Sequence, residues 1–418
     1  MLHDLSFHVV GVSHHTAAVG VREQFALTAA ELAELLAREQ TARRSALLLF
    51  TCNRCELYWS GSDDRESWFR DLARARGMTL ADELARLDGP EAVRHLFTVA
   101  AGLDSQILGE TEILGQVRRA YDAARAAGTT TREMDAIFSA ALAAGRRVRH
   151  ETMLGRHPSS VSSAAVSLAA AEWADGFRDR PVVVLGAGEA AEGVLRALHA
   201  HGVSNVSLVN RNPERATTLA AAWGATPEGW DRLPELIAGA DLLIVATAAS
   251  RPVMSAGELS AAMTTRADRP LVAMDLSVPR NVQPEARGVP GVRLFDLDDL
   301  QRLCCPAAGT PATALRDAER LLEDELARLD QALRARAAAP RLAELHRHGA
   351  LVAEQEAARA LEQLDGLSDQ ERQVVREMAE RLVRRVLYPV SRSMREVRPT
   401  PAEQERDRTQ VEAVPDSL

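Results

Sequence analysis

The chain has 418 residues, of which 46% are hydrophobic, 26% charged and 4% aromatic, the composition of a soluble globular protein with two to four domains. All 50 basic residues are arginine, which excludes chemistry that needs a lysine amine, such as a Schiff base or a P-loop phosphate clamp. The net charge of −9 argues against indiscriminate binding to nucleic acid or anionic lipid and leaves any such binding to locally placed arginines.

Apolar runs predict strands at 7–12, 46–50 and 56–60, and the spacing of Leu32, Leu35 and Leu36 predicts a helix over 28–39. From Gly89 the periodicity turns helical, with helices expected at 90–99, 110–127 and 131–149 and with Glu110 and Glu112 near a helix N-terminus. A Pro158-Ser159-Ser160 start opens a further helix to about 174, where a domain boundary is expected. From Pro181 short apolar runs at 182–185, 206–209, 242–246, 271–275 and 292–295 alternate with helical or turn segments, the pattern of a parallel sheet buried on both faces and doubly wound. The pattern ends near Leu303, before Cys304 and Cys305. Beyond Pro311, Leu315, Leu322 and Leu329 repeat every seven with Leu326 and Leu333 between, predicting a helix over about 312–338 that serves as a dimerisation arm. Residues 400–418 are polar and expected to be frayed. Four cysteines are too few for a disulfide framework, and no leader or membrane-length apolar run is evident, so a cytoplasmic protein is expected.

Val182 to Leu185 runs into Gly186-Ala187-Gly188-Glu189-Ala190-Ala191, a strand, a G-x-G-x-x-A turn and a helix. Gly186 permits the tight turn, Gly188 lets the backbone approach a pyrophosphate, and the helix N-terminus offers unpaired N–H groups to that anion. The next strand ends at Asn210-Arg211, where an NAD-binding chain carries an acid for the ribose hydroxyl. An arginine there fits a 2′-phosphate, so NADPH is the expected cofactor. Thr247 and the loop from Asp275 to Pro279 are expected on the nicotinamide side.

Thr51-Cys52-Asn53-Arg54 follows an apolar strand, so Cys52 stands where strand ends present side chains to a cleft, and Arg54 could stabilise its thiolate by charge. Cys52 and Cys55 also form a C-x-x-C, but a zinc site lacks a second ligand pair nearby and a dithiol exchanger usually precedes a helix, whereas Glu56 to Trp59 continues as strand. No metal is expected. The run from Gly102 to Gln116, with Asp104, Ser105, Gly109, Glu110, Thr111 and Glu112, holds more glycine and polar residues than a plain helix needs. It reads as a turn whose side chains face a ligand.

At these segments the chain resembles the glutamyl-tRNA reductase family. Gly11 to Val19 with Arg22-Glu23, Thr51 to Arg54 with Glu56 and Tyr58, the Gly102–Gln116 run, Arg147 to Thr152, the glycine turn and Asp275 to Arg280 all match its motifs, over about 1–310, with a weaker helical match beyond. The resemblance implies NADPH-dependent reduction of glutamyl-tRNA(Glu) to glutamate 1-semialdehyde through a Cys52 thioester, the first step toward 5-aminolevulinate and tetrapyrroles. It further implies that Thr51, Cys52, Asn53, Arg54, Ser105, Glu110, Thr111, Glu112 and Gln116 hold the glutamyl group and that His95 assists the chemistry. Arg54 is expected to meet the substrate carboxylate. Two departures stand out: Cys55 occupies a position where the family more often has a hydroxyl residue, and Glu112 one where glutamine is common. Arg118, Arg119, Arg146, Arg147 and Arg149 would have to meet the tRNA phosphates.

The expected fold class is α/β, with an N-terminal α+β catalytic domain (1–155), a connecting helix (156–178), a doubly wound NADP-binding Rossmann domain (179–310), an all-α dimerisation domain (311–400) and a tail (401–418). Expected partners are glutamyl-tRNA(Glu), a second copy of the chain and an aminomutase that receives the aldehyde. A dehydrogenase of a small free hydroxy acid, or a non-catalytic tRNA-binding relative, are the alternative readings. The first would work without tRNA and tolerate loss of Cys52.

Overall fold

The computed structural model of the chain describes residues 2, 5–78, 80, 83–110, 112–152, 154, 160–173, 176–266, 269–303, 312–364 and 367–395. The Pro158-Ser159 helix start, Thr111, the Cys304-Cys305 break and the expected tail lie outside these residues. The chain divides into two units, one from Leu2 to Leu326 and one from Ala327 onward.

In the first unit, β1 (Phe7–Ser13), β2 (Leu47–Phe50), β3 (Arg54–Ser60) and β4 (Ala85–Asp88) form an antiparallel sheet in the order β2-β3-β1-β4. The central strands are the apolar runs read from the sequence. The edge strand β4, Ala-Arg-Leu-Asp, is largely exposed and carries no apolar run, so only its backbone pairing with β1 defines it. Six helices accompany the sheet: α1 (Val19–Arg22), α2 (Ala29–Thr41), α3 (Glu66–Ala75), α4 (Gly89–Ala100), α5 (Ile113–Ala126) and α6 (Arg132–Glu151). Thr28 starts α2 with a reciprocal cap, its side chain accepting from Glu31 N while the Glu31 carboxylate accepts from Thr28 N. α3 was not expected, because Phe69 and Ala73 are the only residues it buries in a charged stretch. Helix α5 begins at Ile113 and not at 110. Gly102 and Gly109 adopt φ of +74° and +79°, and Gly109 N donates to Gly102 O at 2.9 Å, so the segment before α5 is the turn that its glycines require.

Helix α7 (Val161–Ala171) follows, ending short of the expected 174, and packs with α8 (Glu189–Ala200) on one face of a six-stranded parallel sheet. The strands are β5 (Val182–Leu185), β6 (Val206–Val209), β7 (Thr226–Glu228), β8 (Leu242–Val245), β9 (Leu271–Asp275) and β10 (Val292–Phe295), in the order β10-β9-β8-β5-β6-β7. This is the doubly wound arrangement, with the order reversing between β5 and β8. Val182, Val184, Leu242 and Ile244 enter one core cluster and Val183, Leu185, Leu243 and Val245 the other, so both faces are buried, as the unbroken apolar runs require. β7 escapes notice because Thr-Pro-Glu is short and its proline is tolerated only at an edge. Helices α9 (Pro213–Trp223), α10 (Leu233–Gly239), α11 (Ala256–Met263) and α12 (Leu297–Leu303) complete the domain.

Helix α13 (Ala312–Glu362) has 51 residues, running well past the expected end at 338 and through Pro340. Its start is tied to the N-terminal domain: Arg147 donates to Glu325 at 2.6 Å, and Arg94 pairs with Glu323. Within the second unit α13 pairs with α14 (Asp369–Arg395), and a Cβ at Gly349 would lie 2.6 Å from Leu387 and 2.9 Å from Val383, so glycine permits the close crossing. Val374, Met378, Leu382 and Val386 stay exposed on α14 at four-residue spacing.

Candidate active site

Phe50 pairs with Cys55 across β2 and β3, so Thr51-Cys52-Asn53-Arg54 is a tight hairpin turn. Thr51 N donates to Arg54 O at 2.9 Å, and the Thr51 hydroxyl accepts from Asn53 N (3.1 Å) and Arg54 N (3.2 Å), which fixes the turn from within. Cys52 projects from it, half-buried, and packs against the apolar cluster of the parallel-sheet domain that includes Leu276, Leu297 and Leu300. Cys55 points the other way, buried, with Sγ 3.8 Å from Phe25 O; both cysteines are free thiols. Burial, then the carboxylates of Glu110 and Glu112, push the Cys52 thiol well above its usual range, while Arg22 works in the opposite direction. The cation that favours the thiolate is therefore Arg22, where the sequence suggested Arg54. Arg22 donates Nε to Cys52 O at 3.3 Å.

Arg54 is 1% exposed and already paired. Its Nη1 donates to Glu56 Oε1 (2.8 Å) and Asp104 Oδ2 (2.9 Å), and its Nη2 bonds Asp104 O. In this arrangement two carboxylates neutralise the guanidinium, and its Nε is buried without a hydrogen-bond partner among the described residues. Tyr58 OH donates to Glu56 Oε2 at 2.6 Å, and His95 Nε2 lies 2.9 Å from Glu56 Oε1. Burial alone would lift Glu56, yet Arg54 and His95 hold it well below the carboxylate range. Burial likewise opposes a charged His95, but the Glu56 carboxylate outweighs it and raises the imidazole above its ordinary value. On the far side His15 Nε2 meets Asp104 Oδ1 at 2.8 Å and stacks on His14, whose titration falls to about 4 through burial and then the charges of His15 and Arg54. His14 N donates to Asn53 O at 2.8 Å.

Glu110 is 2% exposed, accepts from Asn53 Nδ2 at 3.4 Å and is bonded by the Ser105 side chain; burial, then Glu112, push its carboxyl up to about 7. Thr51, Cys52, Asn53, Ser105 and Glu110 are thus brought together. Glu112 stands at the N-cap position of α5 without a side-chain cap bond and turns toward α8, where its Oε1 would lie 3.4 Å from a Cβ at Gly193, lining a 400 Å³ cleft with Glu189, Glu192 and Arg196. Gln116 lies half-buried on α5, one turn beyond Glu112. Asn53 Oδ1, Arg54 Nε and His14 Nδ1 are buried at the turn without a hydrogen-bond partner among the described residues. His14 lies in the Gly11–Val19 motif but was not singled out as a site residue; its burial against the turn appears only in the fold.

The dinucleotide turn has the geometry its glycines predict. Gly186 adopts φ +121°, and a Cβ there would fall 2.2 Å from Ala246 O; a Cβ at Gly188, the N-cap of α8, would meet nothing within 4 Å. The first glycine is thus demanded by the protein itself, and the open face of the second suits an approaching pyrophosphate. Ala187, Glu189, Ala190 and Ala191 continue the turn into α8. Asn210 Nδ2 donates to Asn212 O at 3.0 Å, and the exposed Arg211 guanidinium lies 5.3 Å from the Trp230 ring centroid, which holds it beside the end of β6. Asp275 accepts from the backbone N–H groups of Ser277, Asn281 and Val282 and orders the loop after β9, while burial lifts it to about 6.

Of the arginines expected to face phosphates, Arg119 is bound to Glu189 at 2.9 and 3.0 Å, Arg147 to Glu151 and Glu325, and Arg149 donates to Glu110 O. Arg118 and Arg146 are exposed and form no ion pair among the described residues. The described residues contain no cluster of metal-ligating side chains and no helix long and apolar enough to cross a membrane.

A doubly wound domain with a dinucleotide-shaped turn, docked on an antiparallel domain that offers it a thiol, is the architecture of a nucleotide-dependent oxidoreductase. The family model for "Glutamyl-tRNAGlu reductase, N-terminal domain" matches residues 10–152, that for "Shikimate / quinate 5-dehydrogenase" residues 167–303, and that for "Glutamyl-tRNAGlu reductase, dimerisation domain" residues 317–416. Glutamyl-tRNA reductase 2 of Anaeromyxobacter dehalogenans is 37% identical over 398 residues, covering 94% of this chain and 88% of that protein. Glutamyl-tRNA reductase of Moorella thermoacetica is 36% identical over 386 residues, covering 90% and 88%. The solved glutamyl-tRNA reductase from Methanopyrus kandleri aligns over 98% of each chain at 30% identity with a TM-score of 0.47. The chain belongs to the glutamyl-tRNA reductase family.

Proposed function

We propose that this chain reduces the glutamyl group of glutamyl-tRNA(Glu) to glutamate 1-semialdehyde with NADPH, the first step of tetrapyrrole biosynthesis, through a thioester on Cys52. The observation that carries the reading is the position of Cys52: a thiol on a hydrogen-bonded turn, packed against a dinucleotide-binding domain and flanked by partnerless buried atoms of Asn53 and His14. In this mechanism Sγ adds to the acyl carbon, the ester C–O bond breaks, the tRNA hydroxyl leaves with the thiol proton and a thioester remains. A nucleotide held by the turn from Gly186 to Ala191, with Asn210 and Arg211 at its ribose, supplies a hydride when bound. Arg211 is the reason for preferring the phosphorylated form. Thr51, Asn53, Arg54, Ser105, Glu110, Thr111, Glu112 and Gln116 are proposed to hold the glutamyl group, and His95, held by Glu56, to assist the chemistry.

The same reading takes residues 1–155 as the catalytic domain, 156–178 as the connection, 179–310 as the nucleotide domain, 311–400 as the dimerisation domain and 401–418 as a tail. The exposed apolar row on α14 is what a second copy would cover. A cytoplasmic location and an aminomutase that takes up the aldehyde belong to this reading as well. The test mixes charged glutamyl-tRNA with the protein in the absence of NADPH. A glutamyl mass on the Cys52 peptide, discharged as aldehyde when NADPH is added and lost in Cys52→Ser, is the expected result. Aldehyde formation by Cys52→Ser would overturn it.

A further inference from the structure

Two neighbouring residues of the N-terminal domain carry opposite charges, and each is met by its complement from the parallel-sheet domain. Arg22, at the end of α1 and 2% exposed, donates Nη1 to Ala17 O (2.8 Å), Nε to Cys52 O (3.3 Å) and Nη2 to Asp298 Oδ1 (3.2 Å). The other oxygen of Asp298 accepts Val19 N at 2.8 Å, so one carboxylate from α12 satisfies the first turn of α1 and the arginine at its end. Glu23 receives three bonds from Arg280: backbone N at 2.9 Å and Nε at 3.0 Å on Oε2, and Nη2 at 2.7 Å on Oε1. Gly20 leaves the room for this, since a Cβ there would stand 3.1 Å from Arg280 Nη2.

We propose that Arg22 and Glu23 are positioning residues that latch the nucleotide domain, through Asp298 and Arg280, in the one register that brings it over Cys52. The proposal rests on the thioester reading above and adds the device that divides its two half-reactions. Alternating signs make the contact register-specific: a slide that moves Arg22 toward Arg280, or Glu23 toward Asp298, sets like charges together. The latch also reads out at the sulfur, because the guanidinium that Asp298 holds is the one bonded to the Cys52 carbonyl. Cys52 is half-buried by the docked domain, so the bulky acyl end of a tRNA requires the latch open, and hydride delivery from the other domain requires it shut. Two other side-chain bonds link the two domains among the described residues: Arg119 to Glu189, a largely exposed ion pair of little worth, and Gln106 to Gln301, a neutral pair.

The test uses the full chain with Glu23→Arg, Arg280→Glu and the double swap. Two rates are read: alkylation of Cys52 by iodoacetamide without substrate, located by peptide mass, and decay of the glutamyl adduct after NADPH is added. Each single reversal is expected to speed alkylation and to slow adduct decay by at least about tenfold, from like charges facing each other, with adduct formation retained. The double swap is expected to restore both rates. Unchanged rates in the single reversals, or a double swap no better than the singles, overturn the latch. If alkylation follows the expected pattern but no wild-type adduct forms, the thioester reading falls and the latch stands.

Discussion

His95 Nε2 lies 2.9 Å from Oε1 of Glu56, a buried carboxylate that also accepts from Arg54 and Tyr58, so a histidine on α4 is held by a residue of β3 that is itself fixed from two sides. Because this contact raises His95 above its ordinary value of 6.5, its charged form stabilises the fold fully below that value and the contribution is lost as pH rises through the folded titration. The unfolding midpoint of the wild type should therefore decline above about pH 6.5. In His95→Gln that part of the decline should vanish, as thermal melts at several pH values would reveal.

Removing the shared carboxylate is the costlier change. Glu56→Gln leaves the Arg54 guanidinium buried with Asp104 as its one remaining anion, and loss of a buried partner costs about 3 to 5 kcal/mol. Arg94→Ala breaks an exposed ion pair with Glu323 and should cost no more than about 1 kcal/mol. Denaturant unfolding of the two variants side by side checks the contrast.

Glu110 predicts a pH effect of the opposite origin. Its carboxyl is raised from 4.5 to about 7, so between these values the folded chain keeps a proton that the unfolded chain has released. Stability is lost over that interval as pH rises, by about 3 kcal/mol at most, and stays level above it. Glu110→Gln should flatten the profile and melt higher than the wild type at pH 8, while losing glutamyl transfer to Cys52.

The two glycines of the dinucleotide turn should separate folding from binding. Gly186→Ala forces a Cβ to 2.2 Å from Ala246 O at a positive φ and should cost about 3 kcal/mol or more. Gly188→Ala meets nothing in the protein, so its melting point should stay near the wild type while nucleotide affinity falls. Arg211→Ala should raise the NADPH dissociation constant about 10- to 100-fold, the worth of a charged phosphate contact, and leave NADH unchanged. Titration of nucleotide fluorescence reads both.

Five of the six parallel strands were legible, because strands buried on both faces must be written as unbroken apolar runs and the tight turn between β5 and α8 admits only glycine at Gly186. The turn before α5 was legible for the same reason in Gly102 and Gly109. β4 and β7 were not, since an edge strand is defined by the backbone of its neighbour and asks little of its own side chains. The thiol at a strand end could be read at 51–54, and the bonds from Thr51 that close the turn there are local. What its charges do could not. Whether Arg54 is free or neutralised, whether Cys52 is helped by Arg54 or Arg22, and whether Glu23 finds Arg280 depend on groups 30 to 257 residues away. Electrostatic partners carry no sequence periodicity, so chain folding alone decides which charges share a low-dielectric space.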